Sequence, residues 1–242
     1  MNLWGMTNRG AVRRQNQDAY AQKILPDGRM IAVVCDGMGG AKAGNIASEL
    51  AVQVFMEELC RQLQQGEKEI KACMEFAASC ANGMVYQRAS TDMDCEGMGT
   101  TMVAALIWKG GAVLLNEGDS RAYHISERSG IARITRDHSL VEDLVLRGEL
   151  TPEQAKSHPH KNYITRAVGA EPQLKADFYE CVVGEGDYLL LCSDGLSNVV
   201  TEQEILYEVI HGGEPSTCCQ RLLDIALHRG APDNVTALLV QC

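Results

Sequence analysis

The sequence predicts an α+β protein, and three observations point there. Short apolar runs recur and stop beside an acid and a glycine: Met30 to Cys35 before Asp36-Gly37, Ala112 to Leu115 shortly before Gly118-Asp119, and Asp187 to Cys192 before Ser193-Asp194-Gly195. Such runs read as buried strands. Long segments between them carry apolar residues at helical spacing. No Gly/Ser- or Pro-rich linker divides the 242 residues, so one domain over 1–242 is expected.

In chain order, Met1 to Tyr20 is polar and reads as a solvated edge strand or loop, with Arg13, Asn16 and Asp18 close together. Ala21 to Leu25 is a short strand, and Pro26-Asp27-Gly28 suits a tight reversal. Arg29 to Cys35 is the next strand, delivering Asp36 to its tip. Asp-Gly after an apolar run is ordinarily a hairpin turn, but no second alternating strand follows here. A P-loop needs Lys-Ser/Thr after its last glycine, and this chain has Gly44-Asn45. The dinucleotide fingerprint needs a third glycine where Lys42 stands.

Asn45 is the expected cap of a helix with Ala47, Leu50, Ala51, Val54, Phe55 and Leu59 on one side, closed at Gln65-Gly66. A second helix from Glu67 places Ile70, Cys73, Met74, Ala77, Cys80, Ala81 and Met84 on a face that suits core packing better than metal binding. Met102 to Ile107 and Ala112 to Leu115 read as strands, and His124 to Thr135 as a hairpin around Ser129-Gly130. Residues 137 to 168 differ in character: polar, with His138, His158 and His160, a short amphipathic helix at Leu140 to Val145, and a capped helix start at Thr151-Pro-Glu-Gln154. This segment is expected to be a mobile flap. His158-Pro-His160 has no third ligand nearby and suits a surface loop. Phe178 to Val183 is a strand, Thr201 to Glu204 is a capping box for a helix to about His211, Ser216 to His228 is a helix closed by Gly230, and Val235 to Val240 is the last strand.

The net charge of −10 and a pI near 5.1 oppose a nucleic-acid or anionic-membrane surface. No apolar run is long enough to span a bilayer, and Met1-Asn-Leu-Trp-Gly5 lacks a signal-peptide pattern. Ten cysteines at irregular spacing, without a Cys-x-x-Cys pair, read as buried small hydrophobes in a reducing compartment, which predicts a cytoplasmic protein. An exposed thiol such as Cys242 leaves a redox role open.

Four aspartates share one kind of address: Asp36, Asp119 and Asp194 after strands, Asp233 before one. Clustered carboxylates repel unless a cation neutralises them. An all-oxygen set suits Mg2+ or Mn2+, and no Cys/His set suits zinc. Two such ions about 4 Å apart can clamp a phosphoryl group for in-line attack. An arginine would hold the phosphate oxygens, and Arg13 is the best-placed candidate.

The order of the motifs narrows this. Val12-Arg-x-x-Asn-Gln-Asp18, Asp36-Gly-Met-Gly-Gly40, Gly97-Met-Gly-Thr-Thr101, Glu117-Gly-Asp-Ser-Arg-Ala-Tyr123, Asp137-His-Ser139, His158-Pro-His-Lys-x-x-Ile-Thr-Arg-Ala-Val-Gly169, Ser193-Asp-Gly-Leu196 and Pro232-Asp-Asn-Val-Thr236 together resemble the protein phosphatase 2C family, in its compact bacterial form. The resemblance covers nearly the whole chain. It implies a four-layer αββα sandwich, two antiparallel sheets flanked by helices, with a flap subdomain at about 137–168. It also implies a serine/threonine phosphatase that hydrolyses phosphoserine and phosphothreonine directly, by hydroxide bridging two Mg2+ or Mn2+ ions, with no phosphoenzyme. Asp36 would bridge both ions and the Gly37 carbonyl would bind the second. Asp194 and Asp233 would complete the first, and Asp119 with Asp194 a third, weaker site. Arg13 would bind the substrate phosphate and Asp18 would hydrogen-bond a bound water. Gln17 departs from the Glu of many members, which would weaken the second ion. Met38 replaces the histidine that animal relatives use as general acid.

The expected partners are phosphorylated targets of a serine/threonine kinase, acted on by a monomer. A non-catalytic phosphoprotein-binding domain of the same fold is the alternative; it predicts loss of an aspartate or of Arg13, and all are present. A small-molecule phosphomonoesterase would share the chemistry.

Overall fold

The computed structural model describes residues 1–39, 43–66 and 69–242. The chain opens with β1 (Asn2–Asn8), β2 (Asp18–Ile24) and β3 (Met30–Met38), then α1 (Gly44–Gln64) and α2 (Ile70–Thr91). There follow β4 (Gly99–Thr100), β5 (Met102–Trp108), β6 (Gly111–Glu117), β7 (Arg121–Ser126) and β8 (Gly130–Arg133). The segment 137–168, expected to be a flap, holds α3 (Leu140–Leu146) and α4 (Pro152–Lys156). After it come β9 (Asp177–Cys181), β10 (Tyr188–Cys192), α5 (Asp194–Ser197), α6 (Glu202–Ile210), α7 (Cys218–His228) and β11 (Val235–Gln241).

Two antiparallel sheets form. One runs β1-β11-β10-β7-β8, the other β2-β3-β5-β6-β9 with β4 paired to β3. Side chains alternate across a strand, and here both faces of each sheet are covered, which explains the continuous apolar runs. Met30, Ala32 and Val34 meet Leu189, Leu191 and Leu238 between the sheets. Ile31, Val33 and Cys35 on the opposite face pack under Ala47, Phe55 and Leu59 of α1 and Met74 and Ala77 of α2. On the far side Leu190, Cys192 and Leu239 meet Ile205 and Val209 of α6 and Leu222 and Ala226 of α7. The four-layer sandwich expected from the sequence is therefore the one observed, and it is an α+β fold.

Several boundaries shift for physical reasons. β3 continues past Asp36, because Gly37 and Met38 pair with Thr100 and Gly99 of β4; Asp36 lies within a strand. β2 begins earlier than expected, at Asp18, which pairs with Asp36. Asn45 does not cap α1. The helix starts at Gly44, with Ala43 before it and no side-chain cap. In α2 the buried side chains include Asn82 and Val85, whereas Met84 is 47% exposed. The expected start of α2 at Glu67, and Gly40 and Lys42 of the glycine loop, lie outside the described residues. α7 begins at Cys218, preceded by a 3-10 turn at Pro215–Thr217. β9 ends at Cys181, leaving Val182 exposed. Both capping boxes form, at Thr151 and Thr201, and all ten cysteines are free thiols.

The topology gathers the chemistry at one edge of the sandwich. There β2 starts, β3 and β6 and β10 end, and β11 starts.

Candidate active site

Asp36, Asp119, Asp194 and Asp233 line one open cavity of about 580 Å3, with Arg13, Gln17, Gly37 and Met38. Seven of the eight residues expected at the site thus line this cavity; the eighth, Asp18, is buried and pairs with Asp36 across β2 and β3.

Each is held by its neighbours. The Asp36 amide donates to Thr101 Oγ1 at 2.9 Å, and its carbonyl accepts from Thr101 N and Thr100 Oγ1, both at 2.8 Å. Thr101 Oγ1 in turn lies 2.7 Å from Ser120 Oγ, tying Asp36 to the loop that carries Asp119. Gly37 must be glycine: a Cβ there would stand 1.9 Å from the Gly44 carbonyl oxygen. Gly195 is equally constrained, its Cβ position falling 1.8 Å from the Asn234 carbonyl oxygen. These approaches keep the backbone beside Asp36 and Asp194 in place.

Asp18 Oδ2 accepts from Ser193 Oγ at 2.7 Å and Thr236 Oγ1 at 2.6 Å. Asp194 Oδ2 accepts from Asn198 Nδ2 at 3.0 Å. The other oxygens of these two carboxylates, Asp18 Oδ1 and Asp194 Oδ1, are buried without a hydrogen-bond partner. Asp233 accepts from Arg13 Nη2 at 2.7 Å.

Electrostatics agree with geometry. Burial pushes Asp18 up to about 7 against hydrogen bonds from Thr236 and Ser193, and Asp194 and Asp233 push it further the same way. Burial and then Asp194 raise Asp119 to about 8. Asp36 is held well above the usual carboxylate range by burial and by Asp18, Asp194 and Asp119. Asp194 is raised by burial and Asp233. Such a cluster is short of positive charge.

Hard divalent cations fit this deficit. The donors are all oxygens, and two buried carboxylate oxygens are unpartnered. Among the described residues no group of three or more His, Cys, Asp or Glu side chains is placed to hold one metal ion, so the fit rests on the oxygen donors and their shortage of positive charge.

Two residues without an assigned role in the sequence belong here. Asn234, 3% exposed, donates from Nδ2 to the Arg9 and Gln15 carbonyls at 2.8 and 2.9 Å and accepts from the Gln17 amide at 2.8 Å. It therefore pins the loop that carries Arg13; its place after Asp233 was the available signal. Asn162 of the flap joins the cavity wall. His158 and His160 stay on the surface loop, whereas His138 is buried.

Compared with protein families, residues 9–221 match the one described as Protein phosphatase 2C. The chain belongs to the protein phosphatase 2C family. This family is metal-dependent, and its fold is the sandwich described above. Over 237 residues the chain is 37% identical to the serine/threonine phosphatase stp of Listeria welshimeri, covering 97% of this chain and 93% of that protein. The crystal structure of the serine/threonine phosphatase Stp1 of Staphylococcus aureus is 34% identical with a TM-score of 0.89, covering 99% of this chain and 94% of that one. The catalytic domain of the phosphatase PstP, in complex with two manganese ions, is 31% identical with a TM-score of 0.83, covering 98% and 96%.

Proposed function

We propose that this protein is a Mg2+- or Mn2+-dependent serine/threonine phosphatase that hydrolyses phosphoserine and phosphothreonine on other proteins. The observation that carries this is the convergence of Asp36, Asp119, Asp194 and Asp233 on one cavity with Arg13 at its rim. Asp36, the Gly37 carbonyl, Asp194 and Asp233 would hold two ions, and Asp119 with Asp194 would hold a third more weakly. When bound, the ions supply charge neutralisation for the phosphoryl group and an activated water for in-line attack. Arg13 grips the phosphate oxygens with its planar fork. Asp18 orients water through its free Oδ1. Gln17 gives the second ion's surroundings an amide where a carboxylate would add charge.

Among the described residues lining the cavity none is a histidine, and Met38 has no proton to give. The leaving alkoxide therefore takes its proton from water.

A second cavity of about 600 Å3 shares Asp119, Asn162 and Asp194 with the first. The flap, through Val141, Val145 and Ala155, forms one wall, and Val199 to Gln203 the other. This joined space suits an extended polypeptide better than a small phosphomonoester, and it gives the flap, residues 137–168 within the single domain, a part in substrate choice. The ten free thiols favour a reducing compartment, where a monomer would counter a cytoplasmic serine/threonine kinase. Among the described residues no helix is long and apolar enough to cross a membrane.

The test is phosphate release from a phosphothreonine peptide with Mn2+, with chelator, and with Asp36→Asn. Release should need Mn2+ and collapse in the variant. Folded protein that releases nothing at any Mn2+ concentration would favour the binding-only alternative.

A further inference from the structure

We infer that His138 is a positioning residue for Asp119, acting through the backbone of Gly118. His138 is 2% exposed, at the root of the flap. It clasps Gly118 from both sides: its own amide donates to the Gly118 carbonyl at 2.9 Å, and the Gly118 amide donates to His138 Nδ1 at 3.1 Å. An amide N–H can only donate, so Nδ1 carries no proton and the hydrogen of the neutral ring is on Nε2. Nε2 faces Asp177 Oδ2 at 3.2 Å and donates to it. Arg166 Nη1 holds the other oxygen of Asp177 at 3.2 Å. It also stands 3.4 Å from Nε2, but both atoms carry hydrogens there, so the carboxylate receives both.

Gly118 cannot move freely in response. Its φ is +108°, and a Cβ would stand 2.6 Å from Thr101 Cγ2. Asn116 Nδ2 donates to its carbonyl at 3.1 Å, and the residue after Asp119, Ser120, is fixed by Thr101. Asp119 thus projects from a loop fastened on one side by Thr101 and on the other by the ring of His138. Asp177 aims the ring and selects its tautomer. Outer partners of this kind typically change metal affinity about 10- to 100-fold when removed. The inference rests on reading Asp119 as a ligand of the weaker ion.

The two ring nitrogens can be tested separately. Asn places its oxygen near the position of Nδ1, and Gln places its amide near Nε2. His138→Asn keeps the acceptor for Gly118 and loses Asp177; His138→Gln does the reverse. Titration calorimetry with Mn2+ should give His138→Asn a weak-site affinity within about twofold of the parent. His138→Gln should lose about tenfold or more, with the tighter sites changed little in both. Asp119→Asn is the reference. If it leaves weak-site binding intact, the reading of Asp119 fails and the inference fails with it. If Asp119→Asn abolishes the weak site while the two His138 variants behave alike, the inference alone is overturned. A measurement on the unaltered chain guards against misfolded variants: nitrogen NMR of His138, with chelator and with Mg2+, should show Nε2 protonated and Nδ1 bare. A proton on Nδ1 in both states would overturn the inference.

Discussion

The guanidinium of Arg13 sits on the carboxylate of Asp233, Nη2 to Oδ2 at 2.7 Å, across 220 residues of sequence. With side chains 51% and 30% exposed the pair adds little to stability. Its effect is on placement. Asp233 keeps the arginine over the cavity, and a cation arriving at Asp233 competes for that carboxylate and frees the guanidinium for phosphate. Arg13→Ala should therefore raise KM for a phosphothreonine peptide about tenfold or more, the loss of a charge-assisted fork, without weakening Mn2+ binding. Steady-state kinetics beside Mn2+ calorimetry separates the two. An unchanged KM would remove Arg13 from the phosphate site.

Asn234 predicts a coupled loss. Its side chain makes three hydrogen bonds to the backbone of residues 9 to 17. Asn234→Ala removes three hydrogen bonds to partly buried backbone, each worth about 1 kcal/mol, so the melting temperature should fall by several degrees. The loop bearing Arg13 would loosen at the same time, so kcat/KM should fall by more than the unfolded fraction explains. A variant that melts lower yet retains full kcat/KM at low temperature would show that the loop keeps its place without Asn234.

Metal-free stability should depend on pH in a particular direction. An unfolded Asp titrates near about 3.9, whereas Asp18 is raised to about 7 and Asp119 to about 8 in the fold, chiefly by burial. Between those values the folded chain binds more protons than the unfolded one, so stability falls as pH rises. Calorimetry with chelator should show the melting temperature dropping from pH 5 to pH 8. Saturating Mn2+ should abolish most of that drop, because the cation takes the place of the protons. A metal-free melting temperature that climbs over this range would contradict the arrangement of the carboxylates.

The pH–rate profile should carry no imidazole step. Met38 stands on the cavity wall and, among the described residues lining it, there is no histidine. A rate titration near pH 6.5 that disappeared on substituting one histidine would show that a ring reaches the leaving group after all.

Much of this was legible because strands announce themselves. Asp36, Asp119 and Asp194 could be found since each follows an apolar run, and the αββα layering followed from the resemblance those motifs carry. What stayed hidden depends on contacts distant in sequence. The start of α1 is set by the close approach of Gly44 to Gly37 and Gln17, so the capping preference of Asn45 does not decide it. The extension of β3 depends on β4, two residues long and too short to show a period. Val85 rather than Met84 is buried, because it packs against Gly169, where a Cβ would stand 2.2 Å from Val85 Cγ1. His138 sits in a polar stretch that reads as a mobile flap, yet the fold closes over it, since its polar atoms find partners in Gly118 and Asp177.

The order in which this site becomes complete is set by the order of synthesis. β11 lies between β1 and β10, and the residues just before it supply Asp233 and the asparagine that anchors the Arg13 loop. A nascent chain on the ribosome can make Arg13, Asp18 and Asp36 early, but it has neither β11, an interior strand of one sheet, nor Asp233 until more than two hundred residues have been joined. Phosphatase activity would thus be withheld from any translation product that stops before β11, with no inhibitor required.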